Sequence, residues 1–157
     1  MGISLKLYRT PTAEQLEDLA QPGSFFQVTT TPADLYKMHE DLAYIFTNNT
    51  DPFDDTGHIA YITIFGHPVQ ASIGDTQIGG FIPSSDIKNI NAWIRGNDLN
   101  SRTGFYALYN SLNEDVVQML DDIGSPTKEE LYDYVQQLTS LYEIAEKENN
   151  SVIVCGT

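Results

Sequence analysis

The sequence predicts a single α+β domain spanning residues 1–157, a small mixed or antiparallel sheet packed with about five helices. The prediction rests on a long amphipathic segment that runs into an apolar C-terminal stretch, a short alternating start, and helical periodicities between them that do not alternate regularly with strands. The clearest of these is the C-terminal quarter. Thr127 and Glu130 have capping-box spacing, and Leu131, Val135, Leu138, Tyr142 and Ala145 trace one face of a helix through about five turns. Asn149-Asn150 supplies left-handed geometry for a reversal into the buried strand Ser151 to Cys155.

From the other end, Ile3, Leu5 and Leu7 alternate with polar neighbours, the period of a half-buried strand. Thr10-Pro11 then opens a helix over 11–20, with Leu16, Leu19 and Ala20 as its apolar stripe, and Pro22-Gly23 ends it. Residues 24–30 read as a short extended piece. Thr31-Pro32 opens a second helix by the same cap chemistry, carrying Leu35, Met38, Leu42, Ile45 and Phe46 inward and Lys37, Glu40 and Asp41 outward. Asn48-Asn49-Thr50-Asp51-Pro52 breaks it. Over His58 to Phe65 both alternating faces are apolar, which predicts a central strand.

After a His67-Pro68 turn comes a glycine-punctuated stretch, with an extended piece over 69–73 and a loop from Gly74 to Ser85. Ser84 or Ser85 caps a helix whose core side is Ile87, Ile90 and Ile94, with Trp93 alongside, ending near Gly96-Asn97. Phe105, Leu108, Tyr109 and Leu112, then Val116, Val117, Leu120 and Ile123, continue helical spacing to Gly124, as one helix or two.

With 41% hydrophobic and 11% aromatic residues the composition is globular, and no stretch approaches the roughly 20 apolar residues of a membrane span. The first residues lack a secretory signal, so the expected location is cytoplasmic. A lone cysteine, Cys155, sits in an apolar run where a buried, inert thiol is expected. Twenty-two acidic against eight basic residues give a formal charge of -14, which disfavours nucleic acid and anionic membranes and favours a basic protein partner.

The helix from 31 to 47 and the C-terminus resemble the YfbM-like family, a bacterial group catalogued as a domain of unknown function. The family helix reads Leu-x-Lys-x-Trp-x-x-Leu-His-x-x-Leu-Thr-Gly before a strand, and Leu35, Lys37, Leu42, Phe46 and Thr47 fall on it without a gap, the strand then being 59–65. The family's ending, Tyr-x-x-Ala and then Val in an apolar run, is met by Tyr142, Ala145 and Val152, and Met1-Gly2 with the first strand looks like its start. His39, Ala43 and Asn48 replace the family's Trp, His and Gly. The resemblance implies the family fold and carries no activity, cofactor or catalytic residue with it.

Among residues that can carry chemistry, Asp51, Asp54, Asp55 and His58 fall within one loop, but they lack the alternating oxygens and terminal Glu of a calcium loop. No nucleophile elbow accompanies His39, His58 or His67, and Gly74, Gly79 and Gly80 form no phosphate loop, so no cofactor is implied. Two classes of function follow. The leading one is a non-catalytic acidic protein of immunity or inhibitor type, presenting Asp121, Asp122, Glu129, Glu130 and Asp133 to a basic protein. The other is a small-molecule or metal-binding domain or enzyme using Asp54, Asp55 and His58 with Asp75, Gln77 and Phe81. Tyr132, Tyr134 and Tyr142 read as either core margin or interface.

Overall fold

The computed structural model describes residues 3–11, 31–73 and 76–156. Its sheet is built from β1 (Leu5–Pro11), β2 (Ala33–Tyr36), β3 (His67–Ile73), β4 (Thr76–Ile82) and β5 (Asn150–Gly156). These lie in the order β2-β1-β5-β4-β3, and every neighbouring pair is antiparallel. The helices are α1 (His39–Thr47), α2 (Ile59–Phe65), α3 (Ser84–Gly96), α4 (Arg102–Asn110), α5 (Glu114–Asp122) and α6 (Lys128–Lys147), with a 3-10 turn at Pro52–Asp54. None is long and apolar enough to cross a membrane among the described residues.

The C-terminal strand is the middle of the sheet, which explains why Ser151 to Cys155 is apolar on nearly every residue. Val152 and Val154 join Leu5, Leu7 and Ile82 in the main core, while Ile153 and Cys155 join Ile78 and Phe81 in a second, smaller cluster. Helix α6 lays Leu131, Val135, Leu138, Tyr142 and Ala145 into the main core, all fully buried. Its start is held by Thr127, whose side chain accepts a hydrogen bond from the Glu130 N–H at 3.3 Å. Its exit turns on Asn149, which takes the left-handed φ of 55°. Strand β1 is longer than the alternating start indicates. Of the helix expected over 11–20, Pro11 ends β1 and the rest lies outside the described residues, as does the extended piece over 24–30.

The second helix does not begin at Thr31-Pro32. Ala33 and Leu35 are buried and alternate with more exposed Asp34 and Tyr36, so the segment forms edge strand β2, and the helix starts only at His39 after a turn in which the Met38 N–H bonds the Leu35 carbonyl. Leu35, read as part of the helical stripe, serves the core from the strand instead. The helix ends at Asn48, whose φ of 49° is the left-handed geometry for which the resembling family uses Gly. Ala43, in place of the family His, is fully buried.

The stretch expected as a central strand, 58–65, is helix α2. Six apolar residues around Thr63 fit a buried helix as well as a strand, and local chemistry decides. His58 caps the helix by accepting the Ala60 N–H on Nδ1 at 3.1 Å, Thr63 bonds back to the Ile59 carbonyl, and Gly66 ends it at a φ of 69°. Thr63's own carbonyl, one of the last of the helix, accepts the buried Tyr142 hydroxyl at 2.6 Å.

Nor is 74–85 a long loop. Thr76 to Ile82 is strand β4, and its Gly80, like Gly66 before β3, is clearance rather than punctuation. A Cβ at Gly80 would run into the Phe65 carbonyl oxygen at the end of α2, and one at Gly66 would stand 2.9 Å from the Phe81 nitrogen. His67-Pro68, expected as a turn, begins β3, and His67 Nε2 meets Asp86 Oδ2 of α3 at 2.6 Å. Ser84 and Ser85 lie inside the first turn of α3, with Pro83 at the N-cap, and Ile87, Ile90 and Ile94 face the core as their spacing predicts. Two helices, α4 and α5, occupy 102–122, separated at Ser111 to Asn113.

Candidate functional site

The residues named for a small-molecule site fall in different settings. Asp54 and Asp55 are exposed around the 3-10 turn, and His58 uses Nδ1 to cap α2. On β4, Gln77 is exposed and Phe81 is buried with Ile78, Ile153 and Cys155. Asp75 lies outside the described residues. Phe53 of the turn rests on Tyr61 and Phe65 with ring centroids 6.0 and 5.6 Å apart, so the turn is held to α2 by aromatic packing. Among the described residues no three His, Cys, Asp or Glu side chains stand together as metal ligands.

The acidic residues tell a more connected story. Asp121, Asp122, Glu129, Glu130 and Asp133 are all exposed on α5 and α6. Asp122 accepts a hydrogen bond from Gln118 at 2.8 Å, and Asp121 lines a shallow hollow with Tyr109, Val117 and Ser125. Glu130 and Asp133, three residues apart and therefore on one helix face, line a groove of about 560 Å³ together with Tyr36, Met38, Tyr134 and Gln137. A second hollow of about 550 Å³ adjoins it along α6, lined by Ala33, Leu141, Ile144 and Glu148 among others, and Gln137 belongs to both. Gln137 also accepts the Asp34 N–H at 3.1 Å, while Asp34 accepts the Tyr36 N–H at 2.9 Å. Side chains thus occupy the backbone donors of edge strand β2, which blunts it for strand pairing and leaves its side chains as the wall of the groove.

Tyr36 is the residue that sequence reasoning missed. It is 52% exposed and holds a φ of 50°, a conformation that costs a non-glycine residue on the order of 1 kcal/mol. Once 31–47 is read as one helix, nothing in the sequence singles it out. The tyrosine stripe of α6 divides: Tyr142 and Tyr132 are buried, and Tyr134 is the half-buried one on the groove.

Most of the few cations are engaged within the chain. Arg9 binds Glu148 at 2.9 Å and Asn150 at 2.8 Å; Arg95 lies 3.9 Å from Glu146; Lys6 lies 4.0 Å from Asp34. Arg102 and Lys128 cover the rings of Tyr132 and Tyr106, each 5.1 Å from the centroid. Among the described residues Glu130, Asp133, Asp121 and Glu129 have no such internal cation, so the field of α5 and α6 stays negative.

Among the described residues an antiparallel five-stranded sheet, six helices and a central C-terminal strand together define a YfbM-like α+β fold, the one implied by the sequence resemblance. The chain superposes on the crystal structure of YfbM from Escherichia coli, described as a protein of unknown function, over 99% of each chain with a TM-score of 0.57 and 14% identity. That likeness concerns the fold. No protein-family model matches the sequence, and no curated protein matches it.

Proposed function

We propose that the protein is a non-catalytic acidic interaction protein that binds a basic protein partner, in the manner of an immunity protein or inhibitor. The observation that carries this reading is the set of exposed carboxylates on α5 and α6 left without internal cations, in a chain of formal charge -14. Such a field steers a positive partner into encounter and rejects like-charged ones, an effect that falls as salt shortens the screening length to about 8 Å at physiological strength. Calorimetric titration against a small basic protein and an acidic one of equal size tests it. The expected result is one-to-one, micromolar or tighter binding to the basic protein alone, weakening as salt is raised. Absence of binding to basic proteins at low salt contradicts it.

A further inference from the structure

Resting on that reading, we propose that the two adjoining hollows along α6 form one docking trough for an extended, arginine-bearing segment of the partner. Between Glu130 and Glu148 the helix axis covers about 27 Å, at about 1.5 Å per residue. An extended peptide of roughly eight residues spans that length. The two ends of the trough differ in chemistry, and the difference gives the segment a direction.

At the Glu130 end, two carboxylates on one helix face stand with the exposed Tyr36 ring and Tyr134. Carboxylate pairs and aromatic faces together suit a guanidinium, which is planar, bonds carboxylate through paired donors and stacks on rings, better than a compact ammonium. The Tyr36 ring already draws one cation: Lys37 Nζ lies 5.7 Å from its centroid, near the outer limit of about 6 Å for that attraction. In the middle and toward the far end, Leu141 and the 40% exposed Ile144 offer apolar wall. Glu148 is already paired with Arg9, so the far end presents no free carboxylate equivalent to the first. A segment with arginine at the Tyr36 end and aliphatic side chains behind it complements both halves. Charge complementarity selects it over a second copy of this chain, whose like charge opposes self-association.

The test uses octa-arginine, octa-lysine and octa-glutamate peptides and the whole protein. Octa-arginine is expected to bind severalfold more tightly than octa-lysine, and octa-glutamate not at all. The double substitution Glu130→Gln with Asp133→Asn is expected to weaken octa-arginine binding about tenfold, more than Asp121→Asn with Asp122→Asn does, while Asp51→Asn with Asp54→Asn, exposed at the 3-10 turn, changes it less than about twofold. Tyr36→Gly is informative because glycine relieves the left-handed φ and so keeps or raises thermal stability, yet it removes the ring. Weaker binding by a variant at least as stable as the parent supports the trough. If the parent binds octa-arginine but Asp121→Asn with Asp122→Asn abolishes binding and the Glu130, Asp133 and Tyr36 variants do not, the trough is overturned and the acidic-surface reading stands. If the parent binds no cationic peptide or protein at low salt, both fall. Concentration-dependent dimerisation of the protein alone that Tyr36→Gly removes would make the occupant a second copy and overturn the arginine assignment.

Discussion

At the scale of single residues, clearance and burial make the sharpest predictions. Gly80 lets the Phe65 carbonyl sit against β4, so Gly80→Ala forces backbone apart rather than a flexible side chain. It is expected to lower unfolding free energy by about 3 kcal/mol or more in urea, whereas Gly79→Ala, whose new methyl meets nothing nearer than the Val154 oxygen at 4.0 Å, stays within about 0.5 kcal/mol. Equal effects would mean that the strand tolerates a side chain at either site. Burial also pushes the Cys155 thiol from its ordinary 9.0 up to about 11. The unfolded chain therefore releases this proton at lower pH than the folded one. The stabilisation is intact below the unfolded value and is lost as pH rises toward the folded one. Cys155→Ala removes that dependence, so the stability gap between parent and variant should narrow between about pH 9 and about pH 11. A gap that stays constant would argue against a buried, protonated thiol.

The elements show what local pattern decides and what it leaves to tertiary structure. Helix α6 is legible because twenty residues of consistent 3.6 periodicity, a cap and a left-handed exit agree with one another. Its cap gives a direct check: Thr127→Ala, by freeing the Glu130 N–H, is expected to cost about 1 kcal/mol, measured by denaturant unfolding, and no loss would show that the 3.3 Å bond contributes nothing. Shorter elements are less legible. Residues 59–65 satisfy strand and helix alike, and the deciding contacts, His58 on the Ala60 N–H and Tyr142 on the Thr63 carbonyl, include one that comes from 79 residues away. Strand β4 hides behind two glycines, and the purpose of Gly80 is visible only when α2 is in place. Strand β2 hides because Leu35 happens to continue the helical spacing of Met38 and Leu42. The same misreading concealed Tyr36, so Glu130, Asp133 and Tyr134 of the groove are readable in the sequence while the ring that faces them from β2 is not.

For the molecule as a whole, fold and charge divide the work of α6. Its inner face completes the core, and its outer face with β2 forms a walled, negatively charged trough in which the edge strand's backbone donors are already taken. In the proposed complex the trough would therefore recognise side chains rather than add a strand. Amide chemical-shift mapping of the labelled protein with octa-arginine at low salt tests this claim most directly. The account predicts that the largest shifts fall on Tyr36, Glu130, Asp133, Tyr134 and Gln137 and shrink as salt is added. Shifts spread evenly over all acidic residues, or concentrated on the 51–58 turn and β4, would contradict it.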